Sequence, residues 1–226
     1  MRILVLGHGK TGKLVAEVAH ERGHGVHVLD AKENPKGAAL TPPFVATFDV
    51  VIDFTTPEAV IPNLRACLAT GAKVVVGTTG WYDQLRDMRG LAERKGAALL
   101  YGTNYSIGVQ VMLQLSHQMA QSLKDAGYEF HIEETHHATK LDSPSGTALS
   151  IQKSLDPVKA EITAHRIGDA AGLHTLEAKS SADRLVLTHE AFSRRGFAEG
   201  AVRAAEWLAT KRDGSYDFRD IFTQLK

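Results

Sequence analysis

The run Gly7-His8-Gly9-Lys10-Thr11-Gly12 stands directly after an apolar stretch, Arg2 to Leu6, and directly before Lys13 to Glu21, where Leu14, Val15, Val18 and Ala19 recur at helical spacing. Strand, glycine turn and helix in that order leave few folds open. Glycines at these intervals let the backbone turn sharply, while the helix start presents N–H groups and the positive end of its dipole to whatever lies over the turn. A second short run, Gly25 to Leu29, ends at Asp30, and a right-handed crossover makes the two strands parallel. Asp30 falls about 20 residues beyond the turn, where a carboxylate accepts hydrogen bonds from a ribose diol. Together these parts form a dinucleotide-binding fingerprint. The competing readings are turn glycines of a generic α/β protein and a site for a non-redox nucleotide. The phosphate loop of nucleotide triphosphatases is excluded, because Leu14 stands where that motif needs Ser or Thr. Asp30 repels a 2′-phosphate and favours NADH, whereas Lys10 and Lys32 attract one, so NADH and NADPH are both expected as cofactors; each lysine reads equally well as a solvated surface charge.

Downstream, Ala31 to Phe48 carries Lys, Asn, Gly and the Pro42-Pro43 pair, poor material for a crossover helix, and a loop is expected there. Alternation then resumes, with strands predicted at Val50 to Phe54, Lys73 to Val76 and Ala98 to Tyr101, and helices at Pro57 to Ala69 and Trp81 to Lys95. This is the pattern of a Rossmann-type, doubly wound parallel sheet. After Asn104 the character changes to one long helical pattern, Val109 to Leu123, followed by strand-like stretches at Glu129 to Glu134, His174 to Lys179 and Arg184 to His189. Strands without alternating helices imply a separate α+β lobe on a mixed or antiparallel sheet. A helical stripe then returns between Gly196 and Lys211. The expected division is a dinucleotide-binding domain at 1–105 and 194–226, with an inserted substrate-binding and oligomerisation domain at 106–193.

Charge and cysteine usage narrow the partners. Lys plus Arg and Asp plus Glu both number 26, so no global field favours nucleic acid or an anionic membrane, and neither is expected as a partner. A single cysteine, Cys67, rules out an intrachain disulfide framework and fits a reducing, cytoplasmic compartment. The N-terminus lacks the longer apolar core of an export signal, and no apolar run approaches the roughly 20 residues that span a bilayer.

The densest chemistry lies between Glu133 and Ala148. Were its first part extended, His136 and His137 would face opposite ways and serve different roles. Ser145-Gly146-Thr147 enters an Ala- and Leu-rich helix whose N–H groups suit a carboxylate or phosphate. His131, Glu133, His136 and His137 are metal-ligand types, but their spacing fails the H-E-x-x-H pattern and a strand does not converge them, so no metal is expected.

The segment Glu134-Thr135-His136-His137-Ala138-Thr139-Lys140-Leu141-Asp142-Ser143-Pro144-Ser145-Gly146-Thr147-Ala148 resembles the E-x-H-H-x-x-K-x-D-x-P-S-G-T-A signature of the dihydrodipicolinate reductase family. Asp53-Phe54-Thr55, Gly77-Thr78-Thr79-Gly80, Asn104-Tyr105-Ser106-Ile107-Gly108 and Ser193-Arg194 extend the likeness along most of the chain. The resemblance implies an NAD(P)H-dependent reductase acting on dihydrodipicolinate (4-hydroxy-tetrahydrodipicolinate) in the diaminopimelate route of lysine biosynthesis. It implies that Gly7, His8, Gly9, Lys10, Thr11, Gly12 and Asp30 hold the adenosine half of the cofactor. Gly77, Thr78, Thr79, Asn104 and Tyr105 then line its nicotinamide side, with Tyr105 stacked nearby. By the same likeness His136 is the general acid, Lys140 its proton-donating or charge-stabilising partner, and His137, Gly146 and Thr147 contact the substrate carboxylates. The family also implies a homotetramer joined through the sheets of the inserted domain. Two departures touch the cofactor end: the glycine turn is shorter than the frequent G-x-x-G-x-M-G form, with Thr11 where Met is usual, and the stretch after Asp30 is short. The rival readings are another dehydrogenase sharing the first domain and an NADH-sensing regulator, neither of which accounts for the histidine segment.

Overall fold

Strand β1 (Arg2–Leu6) is apolar beyond its first residue, and Ile3, Leu4, Val5 and Leu6 are buried because both faces of its sheet are covered. In the computed structural model, which describes residues 1–225, the chain forms two units: Met1–Ser106 with the segment from Arg195 onward, and Ile107–Arg194. The first unit continues through α1 (Lys10–Glu21) and β2 (Gly25–Leu29). The expected loop after Asp30 holds a 3-10 turn at Pro35–Gly37 and one short helix, α2 (Pro42–Val45). Neither replaces a crossover helix. Side-chain amides hold the segment instead: Asn34 donates to Asn63 at 3.0 Å, while Asn63 donates to the buried carboxylate of Asp53 at 2.9 Å.

Next come β3 (Val50–Asp53), α3 (Pro57–Ala69), β4 (Lys73–Val76), α4 (Leu85–Lys95) and β5 (Ala98–Tyr101). The helix expected from Trp81 begins only at Leu85, after a 3-10 turn at Tyr82–Gln84, because Trp81 is buried and its indole N–H is tied to the Thr78 carbonyl at 2.8 Å.

The second unit opens with α5 (Ile107–Leu123) and runs through β6 (Glu129–His136), α6 (Gly146–Ser154), β7 (Ala160–Arg166), β8 (Leu173–Lys179) and β9 (Arg184–Glu190). Its sheet has the order β7-β6-β8-β9 and is mixed: β6 and β7 are parallel, the other pairs antiparallel. A mixed or antiparallel sheet was expected, without strand β7; the helix α6 between β6 and β7 makes the crossover connection that a parallel pair needs. Burial alternates along β6 and β8, so one face packs on Met112, Ala148, Ile151 and Leu155 while the other is more open.

On returning to the first unit the chain forms α7 (Arg195–Ala209), β10 (Gly214–Asp217) and α8 (Phe218–Ile221). Ala198, Gly200, Ala201, Ala204 and Ala205 on α7 are buried, a small-residue face that lets the helix lie close; a Cβ on Gly200 would fall 1.7 Å from the Tyr105 carbonyl oxygen. Arg22 pairs with Glu206 at 2.6 Å, and Arg195 pairs with Glu21, tying α7 to α1. Strand β10, which sequence periodicity did not reveal, adds to β5 and completes a six-stranded parallel sheet of order β10-β5-β4-β3-β1-β2. The chain turns back between β1 and β3, and ligands of such sheets bind at the carboxyl ends of the strands beside that point.

Candidate active site

In the first unit the glycine turn is shaped by missing side chains. A Cβ on Gly7 would lie 2.2 Å from the Phe54 carbonyl oxygen, at a φ of +98°, and one on Gly12 would lie 2.2 Å from the Gly7 oxygen. Gly9 differs, since a Cβ there would meet nothing within 4 Å. The turn is thus closed behind and open in front, the form a pyrophosphate requires. Gly9 is also the N-cap of α1, which no side chain caps and whose first turn carries no acid. These residues fit a dinucleotide cofactor.

His8 and Lys10 are exposed at the rim and Thr11 is half-buried. Asp30 closes β2 with its carboxylate accepting from the N–H groups of Lys32 at 2.7 Å and Glu33 at 3.0 Å. These N–H bonds, Glu33 first, hold its pKa below the usual carboxylate value, so it is an anion at neutral pH. The carboxylate organises its own loop as well as standing where a ribose is expected.

Beyond the ends of β3, β4 and β5 the structure gathers Phe54, Gly77, Thr103, Asn104 and Tyr105 with Thr11 of α1 and Phe197 of α7 around a cavity of ≈ 210 Å³. Gly77 is required there, because a Cβ would fall 2.1 Å from the Phe54 ring. Two of the expected cofactor contacts have buried hydroxyls with partners inside the protein. Tyr105 is only 2% exposed, its hydroxyl donates to the Val76 carbonyl at 2.9 Å, and its ring lies against Phe218 with centroids 4.5 Å apart, so it is a core anchor whose edge lines the cavity rather than a stacking platform. Thr78 is buried too: its hydroxyl donates to Asp53 at 2.6 Å and accepts from the Thr55 N–H at 2.8 Å. Thr79 remains exposed, and the Asn104 side chain accepts from Ser106 at 2.8 Å.

In the second unit, the core-facing positions of β6 read Phe130, Ile132, Glu134, His136. The face that begins apolar ends ionisable. Glu134 is 0% exposed and its carboxylate is saturated: one oxygen accepts from Arg166 at 2.9 Å and from the Ser145 N–H at 3.0 Å, the other meets Nδ1 of His136. Burial pushes the Glu134 pKa up, but the bonds from Arg166, His136 and Ser145 outweigh it and hold the group ionised. Burial pulls His136 below its usual pKa, with the Glu134 bond opposing.

His174 sits opposite Glu134 on β8, 4% exposed, its ring 5.0 Å from that of His136 and its Nε2 3.1 Å from the Ser145 hydroxyl. Burial takes its pKa down to about 4, so it is neutral at ordinary pH. Glu134, His136 and His174 bring ligand-type atoms within 4.8 Å of one another, as a metal site would. The Arg166 guanidinium already fills the place of the cation beside Glu134, and both carboxylate oxygens are used.

Beyond the strand, His137 is half-buried, with Nδ1 2.8 Å from the Thr139 hydroxyl, and so occupies a different environment from His136. Lys140 reaches both oxygens of Asp142, at 2.7 and 2.9 Å. The bond from Lys140, first, and its charge lower the Asp142 pKa, with burial opposing. Ser145 caps α6 by accepting from the Ala148 N–H at 3.1 Å. Thr147 follows in the first turn. Glu134, Arg166, His174 and Gly172 were missed in the sequence; the signal for Glu134 was its i−2 position on the His136 face of a strand, whereas Arg166 lies on the unrecognised β7.

A parallel sheet with an open glycine turn, joined to a second unit that presents an ion-paired histidine and a carboxylate-binding lysine, defines a pyridine-nucleotide-dependent oxidoreductase. The family description "Dihydrodipicolinate reductase, N-terminus" matches residues 1–105 and "Dihydrodipicolinate reductase, C-terminus" matches 108–222, so the chain belongs to the dihydrodipicolinate reductase family. It is 35% identical to a 4-hydroxy-tetrahydrodipicolinate reductase of Christiangramia forsetii, covering 100% of this chain and 99% of the relative. It is also 35% identical to the protein of that name from Natronomonas pharaonis, covering 97% and 99%. Among solved structures it resembles a dipicolinate-bound dihydrodipicolinate reductase from Paenisporosarcina sp. TG-14, with a TM-score of 0.79 and 22% identity over 98% of this chain and 99% of the other.

Proposed function

We propose that this chain reduces 4-hydroxy-tetrahydrodipicolinate, with loss of water, to tetrahydrodipicolinate using NADH or NADPH, on the diaminopimelate route to lysine. The first unit is the dinucleotide-binding domain and the second the substrate domain. The observation that carries the reading, beside the family match along the chain, is a carboxylate already in place: Asp142 occupies the Lys140 ammonium, a group assigned to the substrate. A dicarboxylate substrate exchanges one of its own carboxylates for that of Asp142.

When bound, the reduced nicotinamide supplies the hydride, which no side chain can. The open turn at Gly9 and the α1 N-terminus receive the pyrophosphate, and Asp30 accepts from the adenosine ribose. His136 gives a proton from Nε2 to the atom neighbouring the reduced carbon, and the ring is left neutral with hydrogen on Nδ1. Before substrate arrives, burial disfavours the imidazolium; two substrate carboxylates beside it favour that form and so charge the acid only when it is needed. Lys140, His137 and the N–H groups of Gly146 and Thr147 hold the substrate carboxylates.

Among the described residues no helix is long and apolar enough to cross a membrane. A cytoplasmic homotetramer, with neither nucleic acid nor membrane as partner, is the accompanying inference. It is supported by the balanced charge, the buried thiol of Cys67, and Leu185 and Val186, which stand half-exposed on β9. Substrate generated in place from pyruvate and aspartate semialdehyde, with loss of NADH and NADPH absorbance followed separately, tests the reaction. Turnover with at least one nucleotide is expected; tight NADH binding without turnover would return the chain to the sensor or another dehydrogenase.

A further inference from the structure

We propose that Glu134 is a positioning residue for His136: its carboxylate, itself held by Arg166 and the Ser145 N–H, fixes the imidazole with hydrogen on Nδ1 and leaves Nε2 alone to handle the transferred proton. This rests on the reading of His136 as the acid.

The geometry is over-determined. An ionised carboxylate only accepts, so the ring nitrogen against it, Nδ1, must donate. The other oxygen of Glu134 takes bonds from β7 and from the start of α6, so the carboxylate cannot turn away. Arg166 also donates to the Asp142 carbonyl at 2.5 Å, which anchors the segment carrying Lys140 to the same carboxylate. Space is kept at the working nitrogen by Gly172, at a φ of +151°, where a Cβ would stand 3.0 Å from Nε2 of His136. The ionisable groups around the ring come from every neighbouring element: Glu134 on β6, Lys140 after it, Arg166 on β7 and His174 on β8, with His189 on β9 beyond His174. All but Glu134 are cationic or neutral, so Glu134 is the one local charge that favours the imidazolium. When Nε2 gives up its proton, the product is the tautomer Glu134 already selects, and solvent restores the lost proton without any ring flip.

The test is the pH profile of kcat for wild type, Glu134→Gln and His136→Gln, read with the NADH Kd of each. General-acid catalysis falls as pH rises through the pKa of the acid in the substrate complex. Losing one adjacent opposite charge moves that fall by about one pH unit or more. Glu134→Gln is therefore expected to lose about 10-fold in kcat at the basic end, recover toward wild type as pH is lowered, and keep its NADH Kd. A loss that is uniform at every pH, or a limb that does not move, overturns the proposal. Wild-type kcat in His136→Gln would instead remove His136 from the acid role. Should Glu134→Gln fail to fold, 15N NMR of wild-type His136 decides: the neutral ring protonated at Nδ1 supports the proposal, and at Nε2 it overturns it.

Discussion

The two units build their functional surfaces from opposite materials. In the first, the geometry comes from backbone and from absent side chains: Gly9 leaves open space, while Gly7, Gly12 and Gly77 admit contacts that a Cβ would block. In the second, it comes from side chains that hold one another, with Glu134 joining residues of β6, β7 and the start of α6. A backbone-built site tolerates changes in the side chains around it and fails at a glycine. A side-chain network fails at any member whose partner is left buried and unpaired.

The largest expected effect lies in the second unit. His136→Gln should lower kcat by about 10²-fold or more, the usual contribution of a general acid, with NADH Kd unchanged in equilibrium titrations. An intermediate effect separates the glycines: Gly9→Val should raise the NADH Kd by about 10-fold or more with Tm unchanged, because a side chain enters space the pyrophosphate needs but no protein atom fills. Gly12→Val should instead lower Tm, since its Cβ meets the Gly7 backbone. Loss of NADH affinity in neither variant would break the contrast between the units.

A pH effect on stability sharpens it further. His174 has its pKa depressed by burial to about 4, so between the unfolded value near 6.5 and that point the unfolded chain binds a proton the folded chain does not. Stability therefore falls as pH is lowered through this window, and thermal melts of His174→Gln should show a shallower fall than wild type. Smaller still is Tyr105→Phe, which removes one buried hydrogen bond and should cost about 1 kcal/mol of stability while leaving NADH Kd within about 2-fold. Asp142→Asn, which removes a resident competitor for Lys140, should lower KM for the dicarboxylate by no more than about 5-fold, the scale of an exposed ion pair.

The contrast also explains what could be read ahead of the structure. Gly7 to Gly12 and Asp30 are legible because a turn, a helix start and the carboxylate beyond them are local in sequence and obey strand and helix periodicity. Strand β7 is harder to read: Ala160, Ile162 and Ala164 alternate with polar residues after the Asp156-Pro157 turn, but alanines are weak strand formers, and its parallel pairing depends on the crossover through α6. With β7 unseen, Arg166 could not be placed beside Glu134. Thr78 and Tyr105 carry hydroxyls that suit a cofactor in composition, yet Asp53 and the Val76 carbonyl take them, and only three-dimensional burial reveals such partners.

The most direct test measures NADH Kd and kcat side by side for Gly9→Val and His136→Gln. The account predicts crossed losses, with Gly9→Val losing cofactor affinity and His136→Gln binding NADH normally but losing turnover. Wild-type kcat in His136→Gln, or unaltered NADH affinity in Gly9→Val, would contradict it.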